Sequence, residues 1–574
     1  MMHVKRSFVV LFLPLLFILT SMNSGAITKN QEAVSSSTLS DLNEGHFLYS
    51  PIFDTTSYLI NETGVITHTW SSNYTANLDS YLLNNGIILR PILSGNGGFQ
   101  KIAWNNTILW EYHYTRDSSY ASHDVVPLPN GDVIMIMQEI KSRTQAIQAG
   151  RDPNTVGANF YPDFLIQVHQ TGPTTGVIVW EWHVWDHLIQ DYDATKDNYG
   201  NVSDHPELIN INFGEDFMDD WLHMNSVDYN PEYDQLLLSA HNFDEAWIID
   251  HSTTTEQAAR HQGGMYQHGG DLLYRWGNPQ AYNRGDATNK HLFFQHQCCW
   301  IKPGLPGAGN ILVFSNGNNE PDGPYSTVDE FTPPINSSGE YPLLPNGVYG
   351  PQNATWHYRL SNDLYANIWS GAQRMLNGNT LICSGTTGTF IEVTPSNDIV
   401  WTYVNPFPPN NWNWVYRTQY IPPQRGPKLQ VTGVLYWSNI KPGATVTGSF
   451  QVQNDGSSAS RLNWTINTSS LTWGIWTFSP LSGSGLTPQD GPVTINVSCV
   501  VPYEKHKEFH GMILVQDHNN TSDNGSVLIV LQTPASTPNS QSPFFLGFWR
   551  WVISVFDAWK TFFPHLTLIQ HSVS

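Results

Sequence analysis

The chain has 574 residues, too many for one ordinary core, so two or more domains are expected. With 26 Lys+Arg against 48 Asp+Glu the formal charge is −22, which excludes a nucleic-acid partner because phosphate binding needs a basic footprint. Apolar residues at 40% exclude a disordered chain, and 22 Trp, 25 Tyr, 44 Gly and 36 Pro beside only 13% charged residues mark an all-β protein with many turns.

Residues 1–26 read as a secretory signal peptide. Lys5 and Arg6 form its positive region, Phe8 to Leu19 an apolar run too short to span a bilayer comfortably, and Ser24-Gly25-Ala26 a cleavage site. About a dozen Asn-x-Ser/Thr sequons, Asn61, Asn73, Asn353, Asn463 and Asn496 among them, point the same way and predict a glycoprotein. Four cysteines are too few to staple a chain of this size.

Residues 45–425 repeat themselves. One element is a strand carrying Trp, as in ITHTW (Ile66 to Trp70), ILWEYHY (Ile108 to Tyr114), VIVWEWHV (Val177 to Val184), LLYRW (Leu272 to Trp276), TWHYRL (Thr355 to Leu360) and IVWTYV (Ile399 to Val404). The other is a turn of Asn-Gly type feeding an apolar strand, as in PLPNGDVIMI (Pro127 to Ile136) and RMLNGNTLIC (Arg374 to Cys383). An Asn-Gly hairpin is expected to place both central residues at positive φ. No such unit can bury its own face, so the pattern predicts a six-bladed β-propeller.

After Pro422-Pro423 the pattern changes to short alternating runs, which predict an immunoglobulin-like β-sandwich over 428–532 with a spacing or adhesive role. A Pro/Ser/Asn linker, 533–543, leads to an aromatic segment, 544–563, with Arg550, Asp557 and Lys560 among its Phe and Trp residues. Apolar and charged residues mixed in this way suit a helix lying in a membrane interface. The expected location is secreted or cell-surface, with membrane association through 544–563.

The chemistry should sit where the first strands of the blades converge. His123, His223 and His296 precede their turns by similar distances, so they should meet in space, and His241 follows the His223 turn and joins them. Convergent histidines signal catalysis or metal binding. Asp220 lies three residues from His223 and can orient it. The acidic loop Gly214 to Trp221 reads as a solvated loop. His183-x-x-x-His187 abuts a strand, so its helical spacing does not make a ligand pair. Cys298 and Cys299 cannot easily bond each other; either could pair with Cys383, or all three are buried thiols, and Cys499 reads as a core thiol.

Four stretches carry a resemblance. DDWLHMNSVDYNPEYDQLLLSAHNFDEAWIID, GDLLYRWGNP, FQHQCCW and the run from Ser370 to Pro406 resemble the arylsulfotransferase family. The resemblance implies a six-bladed propeller and sulfuryl transfer from a phenolic sulfate to a phenol. It implies no nucleotide sulfate donor, and a covalently sulfated histidine as the intermediate. His223, in the Asp-Trp-x-His-x-Asn-Ser motif with Asn225, and His296, in the Gln-His motif, would polarise the sulfuryl group or handle the phenol proton.

The sequence also departs from the family. The family's nucleophilic histidine lies just before a Tyr that matches Tyr365, and here Asn362 or Asp363 takes its place. His357 is the nearest histidine and is displaced. One family arginine falls near Glu320, and a second is replaced by His241. Charge stabilisation would then rest on histidines. Three readings result, in this order: a transferase with its nucleophile relocated to His123, His241 or His296; a propeller that binds a sugar or aromatic ligand without chemistry; and an enzyme whose histidines hold a divalent metal.

Overall fold

The computed structural model describes residues 45–534 apart from 77, 84–85, 215–219, 337–338, 409–412, 424–425, 457–459 and 522. The expected signal segment, the linker beyond 534 and the aromatic segment 544–563 lie outside the described residues, as do Glu215, Asp216 and Asp219 of the acidic loop.

The fold is all-β. Six four-stranded antiparallel sheets follow one another from residue 46 to 421. Their first strands are Val415–Ile421 (sheet I), Tyr81–Leu82 (II), Tyr120–Pro127 (III), Met224–Asn230 (IV), Gln295–Trp300 (V) and Gly371–Arg374 (VI). Sheet I is completed from both ends of this region, because Val415–Ile421 pairs with His46–Pro51. Each of the six Trp strands becomes the outermost strand of its sheet.

Two sets of hydrogen bonds lock neighbouring sheets together. On the outside, indole N–H groups reach backbone carbonyls of the next sheet: Trp70 to Gly86 (3.2 Å), Trp182 to Gly270 (2.7 Å), Trp276 to Pro351 (2.9 Å), Trp356 to Pro395 (3.2 Å) and Trp401 to Glu62 (2.8 Å). This is why the repeat carries Trp there: the ring fills the wedge between sheets and its N–H satisfies a loop carbonyl. On the inside, polar side chains of one first strand bond the next. Tyr81 Oη donates to Asp124 (3.1 Å), and Asp124 accepts from Val227 N (3.2 Å). Ser226 accepts from Cys298 N (3.0 Å), Gln297 from Ala372 N (2.7 Å), Gln373 from Tyr420 N (2.8 Å), and Gln419 from Leu82 N (3.1 Å). The bonds return to the strand where they began.

The Asn-Gly turns differ from expectation. Only the glycine has positive φ, at +91° for Gly131 and +86° for Gly378. Gly131 N donates to Leu128 O and Gly378 N to Met375 O, so the turn residues before glycine stay right-handed and glycine takes the left-handed bulge position.

Residues 429–532 form two further sheets, of four and five strands, around a shared core that includes Phe450, Trp464, Ile495 and Ile513. The run LQVTGVLYW splits into Leu429–Thr432 and Leu435–Trp437, which join different sheets, with Gly433 at φ +133° between them. All four cysteines are free thiols, so the pairing with Cys383 is not made.

An ion-pair network lies on sheet III. His183 faces Glu139 (3.5 Å) and Glu181 (3.4 Å), which are held in turn by Lys141 and Arg116. Burial would depress the His183 imidazole, but its hydrogen bonds to the two carboxylates outweigh this and push it up to about 9. A histidine raised on folding stabilises fully below its ordinary value near 6.5, and the contribution is lost as pH rises through about 9. The urea midpoint should therefore fall between pH 6.5 and 9 in the parent and show a shallower fall in His183→Gln. Equal slopes would refute the assignment.

Candidate active site

The four histidines meet. Ring centroids lie 4.2 Å apart for His123 and His223, 4.8 Å for His223 and His241, 4.9 Å for His241 and His296, and 6.3 Å for His223 and His296. His123 lies in the first strand of sheet III, His223 immediately before that of sheet IV, and His296 in that of sheet V. His241 opens a short 3-10 turn just after the second strand of sheet IV. His123 (φ +47°), His223 (φ +54°) and Phe294 (φ +56°) all hold left-handed backbone. Register shifts accompany each of them: one between Ala121 and Val125 spans His123, and those between Met224 and Ser226 and between Gln295 and Gln297 come just after His223 and Phe294. The bulges turn the imidazoles out of the alternation of their strands, and non-glycine residues keep such backbone only where the surroundings enforce it.

Each imidazole is anchored through Nδ1. His223 bonds Asp220 Oδ2 (2.5 Å), His241 bonds Asn242 Oδ1 (2.7 Å), His296 bonds Asn316 Oδ1 (2.8 Å), and His123 bonds Ser122 Oγ (2.6 Å). The amide orientations are fixed, since Asn242 Nδ2 donates to Asp220 O (2.7 Å) and Asn316 Nδ2 to Ala366 O (2.7 Å). The oxygen of each amide must then face its histidine. His241 and His296 therefore carry their proton on Nδ1 and present a lone pair at Nε2.

The electrostatics separate the four rings. Burial, then the neighbouring His223, pushes His241 down to about 3. Burial, then the other imidazoles, holds His123 and His296 well below the ordinary histidine value. These three are neutral at physiological pH. Burial would raise Asp220, but its bond to His223 and the nearby imidazoles hold it below the usual carboxylate range. Asp220 is thus an anion bonded to His223 Nδ1.

Several partners escape the sequence reading. Gln138 Nε2 donates to Asp220 Oδ1 (2.7 Å), and its Oε1 accepts from Tyr120 Oη. Asp163 accepts from Met224 N (2.8 Å), and burial followed by the Asp220 charge raises its carboxyl well above normal. Asn225 donates to Gln295 O (2.8 Å) and so braces sheet IV against sheet V. Arg417, on the closing strand, escapes the sequence reading too. It is buried, donates to Asp124 Oδ2 (2.8 Å) beside His123, and has Asp79 at 3.9 Å. His357 lies on the outermost strand of sheet V, bonded to Asp329 (2.7 Å), and does not join the four. Asn362 and Asp363 sit exposed in a 3-10 turn.

The family model for arylsulfotransferase (ASST) matches residues 107–406, more than half of the chain and all four histidines. The chain belongs to the arylsulfotransferase family. No curated protein matches it significantly. Among solved structures, a protein of unknown function from Bacteroides caccae is 11% identical, covers 66% of this chain and 99% of its own, and has a TM-score of 0.36. A streptogramin B lyase is 10% identical, with 65% and 86% covered and a TM-score of 0.30. The nidogen/laminin complex gives 7%, 66%, 98% and 0.32. Scores this low say nothing of activity. Among the described residues of this arylsulfotransferase homologue, no helix is long and apolar enough to cross a membrane.

Proposed function

We propose that the protein is a sulfotransferase of arylsulfotransferase type, which moves a sulfuryl group from a phenolic sulfate to a phenol on the four-histidine cluster of a six-bladed propeller. The observation that carries this reading is the convergence of four imidazoles, two of them fixed as neutral Nε2 nucleophiles beside the Asp220–His223 pair.

The chemistry balances as two displacements. His241 lies between His223 and His296 and is the nucleophile in this reading. Its Nε2 lone pair attacks sulfur, the bond from sulfur to the aryl oxygen breaks, and the leaving phenolate takes a proton from the His223 imidazolium. The acceptor phenol then gives its proton to His223 while its oxygen attacks sulfur and the N–S bond breaks. Asp220 stabilises the charge that His223 carries before the first displacement and regains in the second. In this reading His123, whose Nδ1 lies 2.6 Å from Ser122 Oγ, takes the tautomer with its hydrogen on Nε2 and offers it to a sulfuryl oxygen. Phe294, half-buried with its ring 4.9 Å from that of His241, offers an apolar face to the aryl group.

In the same reading the 428–532 unit is an immunoglobulin-like sandwich, and the chain acts outside the cell. The test is phenol release from a chromogenic aryl sulfate by the purified protein. Release that requires an added phenol and vanishes in His241→Ala supports transfer. No release with any acceptor refutes it and favours a binding propeller.

A further inference from the structure

A second polar cluster lies away from the four histidines. His187 ends the 3-10 turn after the outermost strand of sheet III, and Asp271 immediately precedes the outermost strand of sheet IV. His261 comes from the loop before Asp271. His187 Nδ1 and His261 Nδ1 each lie 2.8 Å from the same oxygen, Asp271 Oδ1. Among the described residues, this is the His/Cys/Asp/Glu group whose ligand atoms all fall within 4.8 Å of one another.

The contacts of His187 leave one of its nitrogens facing the other two residues. The ring is fully buried, and its Nε2 lies 2.8 Å from Ala258 O. A carbonyl only accepts, so Nε2 carries a hydrogen. Nδ1 is then the nitrogen that faces Asp271 Oδ1. A divalent ion there would be held by His187 Nδ1, Asp271 Oδ1 and His261 Nδ1. The carbonyl on the far side of His187 is the usual outer partner of a metal-bound imidazole.

The surroundings are shaped to this arrangement. The Trp182 ring stacks on His187 at 5.7 Å, and its indole N–H holds Gly270 O. A Cβ at Gly270 would stand 2.0 Å from Ala258 O and 2.6 Å from His187 Nε2, so the close approach of loop and ring requires glycine. His261 is 60% exposed at its side chain and forms part of the wall of a cavity of about 410 Å³, shared with His205, Trp185 and Tyr199. An ion would therefore have an open side as well as a buried one.

We propose that His187, His261 and Asp271 bind one divalent transition-metal ion of zinc type, with a remaining coordination position on the cavity side. Two imidazoles and a carboxylate suit such ions and are poor for calcium or magnesium, which take oxygen donors. The ion would tie sheet III to sheet IV outside the channel.

The full-length secreted protein, stripped by chelator, is equilibrated with Zn²⁺ or with Co²⁺ and separated from free ion. The expected result is one equivalent of Zn²⁺ by elemental analysis, a higher melting temperature, and visible ligand-field absorption with Co²⁺. His261→Ala, at an exposed position, should weaken binding by more than the roughly 10–100-fold that loss of an outer partner costs. Asp271→Asn should do the same. The double variant His241→Ala/His296→Ala should keep its equivalent. No stoichiometric uptake, uptake indifferent to His261→Ala, or uptake lost only in the double variant would each overturn the proposal.

Discussion

His223→Gln should lower kcat for phenol release about 10²–10⁴-fold, the usual contribution of a positioned acid–base group, with little change in KM. The imidazole at this position delivers a proton to the leaving phenolate and takes one from the acceptor, and neither interaction exists in the ground state. The Asp220 carboxylate 2.5 Å from Nδ1 makes the charged form of this ring tolerable, while the other three rings are held neutral by burial. The size of the loss should depend on the leaving group. A nitrophenolate needs no proton to depart, so the variant should retain much more of its activity on a nitrophenyl sulfate than on phenyl sulfate. Steady-state rates on a series of substituted phenyl sulfates measure this directly. An equal loss across the series would take the acid role away from His223.

The second large effect is on stability. Asp124→Asn should cost about 3–5 kcal/mol, read from denaturant unfolding, because it removes the nearer of the two carboxylates facing the buried Arg417 guanidinium and leaves only Asp79 at 3.9 Å. Asp124 sits at a junction: it pairs with Arg417, accepts from Tyr81 Oη and accepts from Val227 N. Three first strands, of sheets I, II and III, meet there, together with that of sheet IV through Val227. The double variant Asp124→Asn/Arg417→Met should recover part of the loss, since an apolar side chain of similar length removes the buried charge. If the two substitutions add without recovery, the pair is not the joint that closes the ring of first strands.

The parts of this account that were legible in the sequence are those encoded locally. Each Trp strand shows its alternation within a few residues, so six outermost strands could be counted. Their indole bonds reach only the adjacent sheet. His123, His223 and His296 were legible for a related reason, because a repeat places equivalent positions at one end of the first strands, and Asp220 is three residues from its partner. Arg417 was not legible. It stands 293 residues from Asp124, and only closure of sheet I by the last strand brings the two together. The same holds for His187 and Asp271, which are 84 residues apart and meet where sheets III and IV adjoin. The spacing of His183 and His187 correctly failed as a helical ligand pair, yet each histidine has a partner from another element: Glu139 for one and Asp271 for the other. The asparagines that fix the tautomers of His241 and His296 are ordinary in the sequence, and only the carbonyls that orient their amides give them a role.

The central claim is that an imidazole of this cluster carries the sulfuryl group between donor and acceptor. The most direct measurement is rapid quench of the protein with a phenyl sulfate in the absence of acceptor, followed by peptide mapping under alkaline conditions that preserve an N–S bond. The account predicts one sulfo group per chain on His241, discharged when a phenol is added and absent in His241→Ala. A chain that turns over aryl sulfate while no histidine of the four ever carries sulfur would contradict it.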